Sequence, residues 1–122
     1  MNAQTEATAV QEARPLLTTV LESLDDAKAE EISHIDIVGK SPVADHMIVC
    51  NGRSHRHVNA VADRLLRDLK DNGHGNPKVE GMPACDWVLV DTGDVIIHIF
   101  RPEVREFYSL EKMWQVIADE GQ

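Results

Sequence analysis

Cysteine is scarce in this chain. There are two in 122 residues, Cys50 inside an apolar run and Cys85 in a loop before another, and they form neither a CxxC pair nor a spaced Cys/His cluster. That argues against a disulfide framework and predicts reduced thiols. Long apolar runs are missing as well: none approaches the length that crosses a bilayer, and the N-terminus lacks the basic-then-apolar succession of a signal peptide. A cytoplasmic protein with no membrane contact is the expectation. Positive charge is in short supply, with 12 Lys and Arg against 21 Asp and Glu for a net charge of -9. Phosphate backbones repel such a surface, so direct nucleic-acid binding is disfavoured and a basic protein partner is favoured. Internal repeats, low-complexity tracts and a second domain are absent too.

What is present suits one folded unit. A hydrophobic content of 43% and a charged content of 27% are ordinary globular values. Residues 1–14 are polar and aperiodic and predict a mobile tail; residues 15–117 carry the domain; residues 118–122 predict a frayed end. Leu16, Leu17, Val20, Leu21 and Leu24 recur at helical spacing after Pro15. Ile32 to Val38 alternates as a strand, with Ile35 and Ile37 on one face and Asp36 on the other. Met47-Ile48-Val49-Cys50 is a continuous apolar run, the form of a strand covered on both faces. Ser54 then caps a helix that carries Val58, Val61, Ala62, Leu65 and Leu69 on one face and stops at Asn72-Gly73. Lys78-Val79-Glu80 follows as a strand, completing a βαβ-like crossover.

The stretch from Asp86 to Trp114 organises the rest. Trp87 to Asp91 and Val95 to Phe100 read as a β-hairpin buried on most of both faces, with Thr92-Gly93 at a two-residue turn. Pro102-Glu103 then opens a helix, since Pro loses no hydrogen bond at a first helical position and Glu suits the positive helix end. The sum is a single-domain α/β fold with a mixed β-sheet of about five strands flanked by helices.

The pattern D-W-V-L-V-D-x-G-D-V-I-I-H-I-F-R-P-E-V-R-E-F-Y-x-L-E-K-M-W over residues 86–114, preceded by S-P-V-A-D-H-M-I-V-C at 41–50 and by Gly52 and S-H-R-H-V at 54–58, resembles the ribosomal silencing factor (Iojap) family. The resemblance covers about residues 16 to 115. It implies a nucleotidyltransferase-like fold without established catalysis, and a homodimer. It also implies binding to a large-subunit ribosomal protein on the intersubunit face, which keeps the small subunit from joining and so represses translation.

Each chemical constellation has a bland counterpart. Asp91-x-x-Asp94 invites a metal reading, yet Asp pairs at a hairpin turn ordinarily satisfy turn amides or stay solvated. His55 and His57 point in different directions from a helix axis, so no zinc pair forms; His55 is expected at the cap and His57 at a surface or packed edge. No cofactor is expected. Gly52-Arg53-Ser54 at a strand-to-helix turn is similar to a nucleotidyltransferase loop, but no acidic pair follows it, since Asp63 lies inside the helix. A nucleotidyltransferase using Gly52, Ser54, Asp91 and Asp94 is therefore the competing reading, and a large-subunit assembly adaptor is a third. His98 is either a core histidine beside Ile96 and Phe100 or a liner of the partner surface. Aromatics concentrate in the final third. Trp87 and Tyr108 beside Arg101, Glu103 and Arg105 have the composition of an interface hot spot, rimmed by Asp91, Asp94, Glu103 and Glu106 for a basic partner. For the dimer that the resemblance implies, an exposed strand edge or the face of Leu110, Met113 and Trp114 is the expected interface.

Overall fold

A computed structural model describes residues 13–108, with side chains from Leu16 to Glu106. The elements run α1 (Ala13–Asp26), β1 (Glu30–Asp36), β2 (His46–Asn51), α2 (His55–Asp71), β3 (Lys78–Glu80), β4 (Trp87–Asp91), β5 (Val95–Phe100) and α3 (Pro102–Tyr108). The five strands form one mixed sheet in the order β1-β2-β5-β4-β3, as the α/β expectation required. Only the β2–β5 pair is parallel among adjacent strands. Both strands therefore end at the same edge of the sheet.

Strand alternation divides the core in two. Ile48, Cys50, Val88, Val90, Val95, Ile97 and Ile99 meet α1 and α2 on one face. The opposite face carries Ile35, Ile37, Met47, Val49, Ile96 and Phe100, with Trp87, Leu89 and Val104 packed against them. β5 is buried along its whole length because it is the middle strand and both faces are covered. α2 has the predicted geometry: all five apolar positions, Val58, Val61, Ala62, Leu65 and Leu69, are buried, and Ser54 Oγ accepts the His57 N–H at 3.1 Å. At its other end Gly73 takes a φ of 76° while His74 N–H reaches the Leu69 carbonyl at 2.9 Å. Cys50 is fully buried, and burial pushes its thiol up to about 12, as expected of a core residue with no nucleophilic role.

Three expectations shift. The hairpin turn is one residue later than Thr92-Gly93: Thr92 N–H donates to the Val95 carbonyl, Val95 N–H donates to Thr92 Oγ1, and the chain reverses at Gly93-Asp94, where Gly93 has a φ of 98°. The threonine side chain replaces a ladder bond, which moved the reversal. The two N-terminal histidines of α2 exchange roles. His57, not His55, completes the cap, its Nδ1 accepting the Arg53 N–H at 2.9 Å while its Nε2 meets the Ala27 carbonyl. α1 also begins two residues before Pro15, at Ala13. The remaining tail residues and the dimer candidates Leu110, Met113 and Trp114 lie outside the described residues.

Candidate partner-binding surface

The candidate residues occupy three places on the terminal hairpin and its helix. At the open end, Asp86 immediately precedes β4 and Arg101 immediately follows β5, and their backbones meet through Arg101 N–H to the Asp86 carbonyl at 3.0 Å. The Asp86 carboxylate accepts from His55 Nε2 at 2.7 Å and from Arg101 Nε at 2.8 Å. These bonds, His55 first, hold the carboxyl below its ordinary value. Arg101 also reaches Glu103 at 3.1 Å. Arg105 spans to the start of the sheet, donating to the Glu31 carbonyl at 2.8 Å and to Asn51 Oδ1 at 2.9 Å. The two arginines are thus occupied within the chain. They fix α3 against β1, β2 and β4, and Glu103, paired with Arg101, and Glu106 are exposed residues of that helix.

Along the middle, register places Trp87 opposite Phe100, Leu89 opposite His98, and Asp91 opposite Ile96. All six point to the face away from α1 and α2. Trp87, Leu89 and Asp91 are half-buried and form one strip along β4. Trp87 stacks on Phe100 with ring centres 4.9 Å apart and donates from Nε1 to His98 Nδ1 at 2.9 Å. That bond leaves the imidazole proton on Nε2. His98 is 5% exposed, so its place on the partner surface is corrected: it is a core histidine that orients the tryptophan. Burial pulls its pKa down to about 4 and keeps the ring neutral.

The turn end holds Asp91 and Asp94. Asp91 Oδ1 accepts the Gly93 N–H at 2.8 Å, the turn-amide role expected of it, and Asp94 is exposed. At about 3.3 Å per residue, the run from Ile96 to Arg101 separates this end from Arg101 by roughly 17 Å. Asp91 and Asp94 therefore do not share one corner with Glu103 and Glu106. The acids of the turn and those of α3 instead bracket the Trp87–Leu89 strip. Tyr108 ends α3, and its side chain lies outside the described residues.

The same separation dismantles the nucleotidyltransferase constellation. Gly52 follows β2 and bonds from its N–H to the Phe100 carbonyl at 2.8 Å, while Asp94 meets Asp45 and His46 at the opposite end of that strand. Gly52 and Ser54 therefore cannot share a site with Asp91 and Asp94. A Cβ at Gly52 would lie 2.8 Å from the Val58 backbone nitrogen, so packing of α2 against the strand accounts for this glycine, and Ser54 is spent on the helix cap.

Asp86 and Leu89 escaped the sequence reading. Leu89 was legible from alternation with Trp87, whereas Asp86 gains its partners only when α2 and β5 arrive beside it. Among the described residues, no helix is long and apolar enough to cross a membrane.

The family described as "Ribosomal silencing factor during starvation" (RsfS) matches residues 10–122. A ribosomal silencing factor from Zymomonas mobilis is 54% identical over 81% of this chain and 74% of its own length. The mouse protein named for mitochondrial assembly of the ribosomal large subunit is 33% identical over 81% of this chain and 45% of its own. A crystal structure from Chromobacterium violaceum, protein CV0518, superimposes with a TM-score of 0.82 at 34% identity, covering 85% of this chain and 87% of that one.

Proposed function

Since this chain belongs to the ribosomal silencing factor family, we propose that it represses translation by binding a basic large-subunit ribosomal protein at the intersubunit face and occupying space that the small subunit needs. Occlusion of this kind makes and breaks no bond. It acts in the cytoplasm without cofactor or metal and without direct sequence-specific nucleic-acid binding, and as a homodimer that uses Leu110, Met113 and Trp114. The observation that carries this reading is the Trp87–Leu89–Asp91 strip, half-buried on the face away from α1 and α2, with exposed carboxylates at both ends. Aromatic and aliphatic area held rigidly by a core supplies affinity, and flanking acids supply attraction and register for Lys and Arg. Arg101 and Arg105 organise the acidic end through their internal bonds.

Cosedimentation with separated ribosomal subunits tests this. The protein should travel with the large subunit and leave it unable to accept the small one. Glu103→Lys with Glu106→Lys should weaken that association roughly tenfold and flatten its dependence on salt, because two attractive charges become repulsive. Binding that is unchanged in both strength and salt slope would reject the acidic-rim arrangement.

A second reading, assembly of the large subunit, draws on the similarity to the mouse protein named for mitochondrial assembly of the ribosomal large subunit. It predicts accumulation of immature large subunits when the protein is removed, with joining of mature subunits unaffected.

A further inference from the structure

The β1–β2 loop is ordered by its own hydrogen bonds yet turns aliphatic side chains to solvent. Val38 is 53% exposed and Val43 56%, the exposed large hydrophobics among the described residues. Neither is loose. Ile37 N–H to the Asp45 carbonyl at 2.9 Å closes the loop, Lys40 and Ser41 N–H groups both return to the Ile37 carbonyl, and Val43 N–H is held by Ser41 Oγ at 3.1 Å. Val38 N–H is held in turn by Asp36 Oδ1 at 3.0 Å. The loop is also locked to the hairpin turn, since Asp45 and His46 N–H groups both donate to the Asp94 carbonyl at 2.9 and 3.0 Å. Ile37 and Ala44 within it pack into the same second face that carries Trp87 and Leu89. The loop that carries the exposed valines therefore sits at the turn end of the sheet, beside the candidate partner-binding face.

Their surroundings are acidic. Asp36, Asp45 and Asp94 are exposed around the loop, against the single cation Lys40 that the loop itself carries. An acidic field repels phosphate, and exposed aliphatic side chains within it suit a protein segment that sets aliphatic side chains between Lys or Arg. We infer that Val38 and Val43 form a second anchor for the same basic ribosomal protein, so that the partner is gripped at the turn end as well as at α3. This rests on the silencing-factor reading and adds a contact that the hairpin and its helix do not contain.

Four proteins sedimented with purified large subunits decide it: the wild-type chain, Glu103→Lys/Glu106→Lys, Val38→Ser/Val43→Ser and Asp45→Lys. Both valines are exposed, so the serine variant should keep the wild-type thermal midpoint while its affinity falls about tenfold, with the salt slope retained because no charge has changed. Asp45→Lys should also weaken binding, but with a flatter salt slope. If wild type and the serine variant bind equally well, the second anchor is overturned and the silencing reading stands. If wild type itself fails to travel with the subunit, both fall. If the serine variant binds normally but no longer self-associates in sedimentation equilibrium, the loop is a contact between copies of this chain and the inference is overturned.

Discussion

Gly81→Ala is expected to lower the unfolding free energy by on the order of 3 kcal/mol or more, from strain and overpacking together. Gly81 lies between β3 and β4 with a φ of 90°, a left-handed conformation that a side chain resists. A Cβ built there runs into the backbone carbonyl of Trp87, which cannot rotate away as a side-chain tip could. The Gly81 carbonyl also accepts the Cys85 N–H at 2.9 Å, so relaxing the clash breaks the turn that delivers Trp87 to the sheet. Gly93→Ala separates crowding from conformation. Its φ is 98°, yet nothing lies within 4 Å of the added carbon, and the expected cost is only about 1 kcal/mol. Denaturant midpoints at constant slope measure both. Equal losses in the two variants would mean that contact with Trp87 contributes nothing.

The second large effect is acid destabilisation through His98. Its ordinary value of 6.5 applies to the unfolded chain, while burial beside Trp87 and Phe100 brings the folded value to about 4. As pH falls below 6.5, the unfolded chain takes up a proton that the folded protein refuses, so stability is complete above that pH and drains away down to about 4. At 1.36 kcal/mol per pKa unit, the loss is about 3 kcal/mol. Asp86, whose carboxyl is held below its ordinary value, loses its contribution only at lower pH, under about 3.8. The two windows are therefore distinct. His98→Asn retains an acceptor for Trp87 Nε1–H without a titrating ring. Its overall stability will be lower, but its curve should be flatter between pH 6.5 and 4 than that of the wild type. Parallel slopes in that window would assign the acid loss to other groups.

Local periodicity made much of this fold readable. α2 could be placed from its cap and apolar face because each signal lies within a few residues of what it controls. β1 was legible in part: Ile35 is buried and Asp36 exposed as alternation requires, but the strand runs Glu30–Asp36 rather than Ile32 to Val38, and Ile37, also buried, lies in the loop after it. The sheet order was not readable. β5 pairs with β2 across more than forty intervening residues, and only that parallel pairing sends Gly52 and Asp94 to opposite ends of one strand. The site divided along the same line. The β4 strip follows from alternation and the exposed acids of α3 follow from composition, whereas the Asp86–His55–Arg101 contacts depend on three elements converging. His98 illustrates the limit, because alternation fixed its face while neighbouring strands decided its burial.

Photo-crosslinking on the large subunit tests the central claim most directly. With a photoreactive residue in place of Leu89, Asp94 or Glu106, irradiation of the bound protein should join it to a basic ribosomal protein of the intersubunit face. Arg56 and Arg67, exposed on α2 on the other side of the sheet, should give no such product. Crosslinks from the α2 positions alone, with Leu89, Asp94 and Glu106 silent, would contradict the proposal and move the interface to the helical face.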